Sequence, residues 1–244
     1  MNHHFVSMGT VVSLSGDLPE GATSAVERAF ADLDERFSLY RPDSEASAIA
    51  LGDLPLTRAS QEMRGAYELA QSWRVATEGA FTPQRPDGVL DLSGVVKAMA
   101  IERAGTVLDE FGATHWSVNA GGDVLTRSAG DAAPWVIGIV DPSDRDALLT
   151  QCRLGPDARA VATSGIAERG EHIWRIGADD TFAQVSVVAP DIITADVLAT
   201  AILAGGRHCL ELACRTWSIE VIAVTRSGSI FATDAFRTTR PATR

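Results

Sequence analysis

Thr194–Leu203 reads TADVLATAIL, and helical spacing places Asp196 and Thr200 one above the other on a single face. Ala195, Val197, Leu198, Ala199, Ala201, Ile202 and Leu203 surround them. A carboxylate among so many apolar neighbours is costly unless a cation, a donor or a metal pairs with it. A carboxylate and a hydroxyl form a hard oxygen pair of the kind that suits Mg²⁺, which takes few protein ligands and fills its shell from water and phosphate. The plainer alternative is an acid in the first turn of a helix capped by Thr194, favoured by the helix dipole.

The chain has 244 residues and a formal net charge of −11, which disfavours a nucleic-acid surface. Cys152, Cys209 and Cys214 form no C-x-x-C pair. They read as ordinary thiols of a reducing, cytoplasmic compartment. The N-terminal MNHHFVSMGT has no signal-peptide pattern, and no apolar run approaches membrane-spanning length on this reading, so no stable membrane association is expected.

Outward from the anchor, Phe5–Ser15 reads as an opening strand interrupted at Met8-Gly9-Thr10, where a bulge is the simplest reading. Glu20–Phe37 is a helix with Val26, Phe30, Leu33 and Phe37 on one stripe, and Ser44 with Glu45 and Ser47 is placed to start a short helix or a turn. Ser60–Thr77 is a helix capped by Ser60. Val89–Leu92 reads as a short strand running into a helix that opens at Ser93 or Gly94 and buries Ile101, Leu108 and Phe111. His115–Leu125 is strand, Gly-Gly break, strand. Further strands are expected at Trp135–Val140, Arg159–Ala162, His172–Ile176 and Gln184–Ala189, the last two pairing across Gly177–Asp180. A break at Gly205-Gly206 and a hairpin around Ser227-Gly228 complete the chain. Paired strands with interspersed helices give an α+β fold of mixed, largely antiparallel sheet, read as a single compact unit over residues 1–244. Phosphate-loop, dinucleotide and serine-hydrolase signatures are missing.

Taken together, the segments resemble the ApbE family of FAD:protein FMN transferases. They are Met8-Gly9-Thr10, Phe37–Glu45, Gly79-Ala80-Phe81, Asp91–Lys97, Asn119–Asp123, Ala162–Gly165 and Ala195-Asp196 with Ala199-Thr200, in the family's order. The resemblance implies FAD held by Met8, Tyr40, Ala80, Phe81, Thr82, Asp91, Lys97 and Trp174, with Asn119 to Asp123 lining or supporting the cleft. It implies Mg²⁺ held by the Gly94 carbonyl, Asp196 and Thr200, and catalytic roles for His172 and Asp196. The activity implied is Mg²⁺-dependent transfer of FMN from FAD to a threonine of an acceptor flavoprotein, releasing AMP. Two departures stand out. After His172-Ile173 the family's D-P-x-T-G is replaced by Trp174-Arg175-Ile176-Gly177-Ala178, and its G-A-F-D-P reads Gly79-Ala80-Phe81-Thr82-Pro83 here. An FAD pyrophosphatase giving FMN and AMP, and a non-catalytic FAD-binding protein, are the alternatives.

Overall fold

The computed structural model describes residues 1–166 and 182–237. Eight strands form one sheet in the order β1-β2-β3-β4-β7-β8-β9-β10, each neighbouring pair antiparallel. The strands are β1 (Asn2–Ser7), β2 (Thr10–Gly16), β3 (His115–Ala120), β4 (Asp123–Ser128), β7 (Ala160–Gly165), β8 (Phe182–Ala189), β9 (Glu220–Thr225) and β10 (Ile230–Ala232). A separate two-stranded ribbon pairs β5 (Trp135–Asp141) with β6 (Asp144–Leu154). The helices are α1 (Ala22–Phe37), α2 (Glu45–Leu51), α3 (Gln61–Ala76), α4 (Ser93–Glu110), α5 (Ile192–Thr216) and the short α6 (Asp234–Arg237). The α+β class expected from the sequence is the class found.

Strand alternation divides the sheet into two differently covered faces. On one, Ala160 and Ala162 of β7 and Val185, Val187 and Ala189 of β8 join the buried faces of α1, α4 and α5 in the main core. On the other, Val124, Val161, Val188 and Ile222 meet Ile139, Cys152 and Leu154 of the ribbon and Phe236 of α6. The ribbon is therefore a lid over the outer face of the central strands. Its second strand, β6, has no counterpart in the sequence expectations, because its polar start, DRDA, hides the strand pattern that begins at Leu148.

The other differences are local. The break at Met8-Gly9 is a hairpin turn between β1 and β2, not a bulge; Met8 and Gly9 both have positive φ, as a two-residue turn matched to strand twist requires. Val89–Leu92 forms no strand, only an isolated bridge between Gln84 and Leu90. Phe111 is 44% exposed, since α4 ends just before it. The cap of α5 is Asp191, not Thr194: the Thr194 amide and hydroxyl donate to the two Asp191 carboxylate oxygens at 2.7 and 2.8 Å. Helix α5 is also long and apolar enough to cross a membrane by length and composition, contrary to the sequence reading. Its apolar half is packed against β7, β8 and α4, so the apolarity belongs to a core helix, kinked at Gly206 (φ 65°, ψ −147°). The expected His172–Ile176 strand and its pairing lie outside the described residues.

All three cysteines are free thiols. Burial pushes Cys152 and Cys209 up to about 12. An acid held neutral by folding favours the folded state less as pH rises above its ordinary value of 9.0, so these thiols stay unreactive at neutral pH and penalise folding only in strong base. A thiol reagent at neutral pH is expected to label the exposed Cys214 first, at a rate slowed by the upward push of partial burial and the Glu220 charge on its pKa, and the other two only in denaturant. The capping geometry gives a second expectation: Asp191→Ala lowers stability by about 1 kcal/mol in urea unfolding, while Thr194→Ala costs clearly less.

Candidate metal and flavin site

Two helices enter the core with a charged residue one turn from their N-termini. In α4, Lys97 shares a buried stripe with Ile101, Ala104 and Leu108; in α5, Asp196 shares one with Ala199 and Leu203. These first turns meet because α4 packs against α5. Strand β4 supplies the third member. Its alternation puts Asp123 on the side of Leu125, facing the helices, with Val124 turned to the ribbon.

The result is a buried ion cluster. Lys97 Nζ makes salt bridges to Asp123 Oδ2 and, at 3.5 Å, to Asp196 Oδ2. Asp123 is 0% exposed, Asp196 4% and Lys97 9%. The Thr163 amide donates to Asp123 Oδ1 at 3.0 Å, and Thr163 Oγ1 is hydrogen-bonded to Ser186 Oγ at 2.8 Å, so β7 and β8 fix the acid. Ser164, next along β7, faces α5 and bonds Thr200 Oγ1 at 3.1 Å. Among the described residues, the two carboxylates and one ammonium together carry one formal negative charge.

The metal donors inferred from the sequence converge here in part. Asp196 and Thr200 are together on α5, and Gly94 stands one turn before Lys97 in α4. Among the described residues no three His, Cys, Asp or Glu side chains group as a metal cage. One carboxylate, one hydroxyl and a backbone carbonyl make a sparse hard-oxygen set, which fits Mg²⁺ rather than a soft metal.

The flavin candidates are more spread. The Gly79–Pro83 turn docks across the two helices. A Cβ at Gly94 would stand 2.9 Å from the Phe81 ring, and one at Gly205 would stand 2.9 Å from the Ala80 Cβ. Phe81 is buried, so its ring supports α4. Thr82 Oγ1 accepts from the Gln84 amide, and Asp91 Oδ1 accepts from the Ser93 amide at 2.9 Å, which fixes the entry to α4. Met8 is half-buried at the β1–β2 turn, and Tyr40 is 90% exposed on the loop after α1. His172 and Trp174 lie outside the described residues. Asn119 Oδ1 accepts from the Gly122 amide and so shapes the turn that presents Asp123.

Sequence reasoning assigned Asp123 only a general supporting role, and Ser164 none of its own. Strand alternation from Ala160 and Ala162 is the signal that places Ser164 towards α5. A separate groove of about 510 Å³, lined by Met99, Glu102, Arg103 and Asp191 among others, does not contain the cluster. Partial desolvation there, with the nearby Asp191 charge, raises the Glu102 pKa.

The ApbE family model matches residues 83–223, more than half of the chain and every residue of the ion cluster. The protein belongs to the ApbE family. Within it, the chain is similar to the FAD:protein FMN transferase of Klebsiella pneumoniae (strain 342), 24% identical over 161 residues, which are 61% of this chain and 46% of that protein. The match thus spans about half the length of that relative. The fold resembles the ApbE protein of Thermotoga maritima, with a TM-score of 0.80, 20% identity and coverage of 97% of this chain and 98% of that one. It equally resembles the flavin transferase ApbE of Vibrio cholerae, with a TM-score of 0.81, 20% identity and coverage of 98% and 99%.

The Phe81 contact gives a test of how the site is supported. Gly94→Ala puts a methyl group against a buried ring and is expected to cost about 1–3 kcal/mol in denaturant unfolding despite alanine's better helix propensity.

Proposed function

We propose that this ApbE-family protein transfers FMN from FAD to a threonine hydroxyl of an acceptor flavoprotein, with Mg²⁺, releasing AMP. The observation that carries the reading is the meeting of Asp196 with Lys97 and Asp123 near the starts of α4 and α5, with Thr200 one turn beyond Asp196. In this reading Asp196, Thr200 and the Gly94 carbonyl hold Mg²⁺. Bound there, Mg²⁺ neutralises pyrophosphate charge. Net protein charge is strongly negative, so phosphate binding depends on such local compensation.

The chain's own residues then do three things. Ser164 orients the Thr200 hydroxyl through their hydrogen bond. Lys97 brings a buried positive charge to the site, held by Asp123. The rigid sheet and helices keep these groups in register, so that catalysis consists mainly of positioning and charge compensation. The acceptor oxygen forms a bond to the FMN phosphorus as the bond to the AMP phosphate breaks, and the hydroxyl proton leaves to a base. His172 is the candidate for that proton by resemblance. Three free cysteines, two of them buried, support a reducing, cytoplasmic setting.

The test measures AMP release from FAD with Mg²⁺, with and without an acceptor protein bearing a threonine flavinylation motif. The expected result is AMP and covalent flavin only with acceptor, and a loss of at least about a hundredfold in Asp196→Ala. AMP with free FMN in both arms would replace this reading with a pyrophosphatase. Bound FAD with no AMP in either arm would make the protein a flavin binder, and full turnover in Asp196→Ala would remove Asp196 from the metal site.

A further inference from the structure

Lys97 lies between two buried carboxylates and is not shared equally: it makes a close salt bridge to Asp123 and a longer one, 3.5 Å, to Asp196. Asp123 is fixed from behind, because Thr163 donates its amide to the other carboxylate oxygen and is itself tied to Ser186. We propose that Asp123 is a positioning residue that draws the Lys97 ammonium off Asp196, so that Asp123 and Lys97 act with opposite signs on the divalent-cation affinity of the site. This rests on the reading that Asp196 is a metal ligand.

The reasoning is electrostatic. With its closer salt bridge to Asp123, Lys97 compensates Asp196 less, and Asp196 keeps more of its negative charge for a cation. Without the Asp123 charge, Asp196 is the carboxylate of the cluster left to Lys97, and a divalent cation must compete with a buried ammonium for it. Without the Lys97 charge, two carboxylates face the site and attract a cation more strongly. At separations of a few ångströms in a buried setting such changes are large. A purely structural ion pair behaves differently: removing either partner of a buried pair loosens the surrounding packing, and both losses weaken any site built on it.

The test is Mn²⁺ binding, followed by calorimetry or the electron-spin resonance of free Mn²⁺, on the full chain without FAD, so that no contact of Lys97 with substrate enters. Asp123→Asn, which keeps the shape and the acceptor for Thr163, is expected to weaken Mn²⁺ binding about tenfold, and Lys97→Met to tighten it about tenfold. Lys97→Arg keeps the charge and is expected to stay within a factor of about three of the wild type. Lys97→Met is also expected to melt lower in chelator and to recover on adding Mn²⁺, because the cation replaces the missing ammonium. Weakening by both Asp123→Asn and Lys97→Met, or unchanged binding in Asp123→Asn, overturns the proposal. If Lys97→Met does not fold, Asp123→Asn against Lys97→Arg decides it alone: weakening confined to Asp123→Asn supports the proposal, and any other pattern overturns it. Unchanged Mn²⁺ binding in Asp196→Ala would instead overturn the underlying metal-site reading.

Discussion

The salt bridge between Lys97 and Asp123, buried beneath the first turns of α4 and α5, is the constraint on which the rest of the site depends. A buried ion pair is weak as a source of net stability, because desolvation offsets most of its attraction. It is strong as a determinant of arrangement. Once three charged side chains are taken into an apolar core, few relative placements of the two helices and β4 leave them all satisfied. The hydroxyl and amide contacts of Thr163, Ser164, Ser186 and Thr200 belong to the same requirement, since each places a polar group beside another that needs it.

The surrounding architecture can be read as what permits this arrangement. Helices α4 and α5 pack on one another, and that packing brings Lys97 and Asp196 to the same point. The antiparallel sheet lays β4, β7 and β8 side by side, so residues distant in sequence share a face by alternation alone. The β5–β6 ribbon covers the opposite face, and the helix-facing side carries Asp123 and Ser164 towards the helices. Fold and site are in this sense one packing solution.

Much of this was legible in the sequence, for identifiable reasons. The anchor helix, α1, α3 and α4 announce themselves by period, α3 also by its Ser60 cap, and Asp196 with Thr200 follows from helical spacing alone. Motif order pointed to the family. What stayed hidden is what depends on long-range pairing. Spacing within Asn119–Asp123 cannot say that Asp123 meets Lys97 rather than solvent, because that follows from the position of β4 beneath α4. The cap of α5 was misplaced because Asp191 and Thr194 both carry capping side chains, and only the backbone conformation chooses between them. Strand β6 was missed because its polar first half resembles a turn, and its inward residues acquire meaning only against the sheet.

The account's central claim is that the converging starts of α4 and α5 form a divalent-cation site. Anomalous diffraction from crystals grown with Mn²⁺ and FAD tests it most directly. The account predicts an anomalous peak within coordination distance of the Asp196 carboxylate and the Thr200 hydroxyl, with Lys97 still paired to Asp123. A peak confined to another location, such as the acidic groove beside Glu102 and Asp191, with no metal at Asp196, would contradict it.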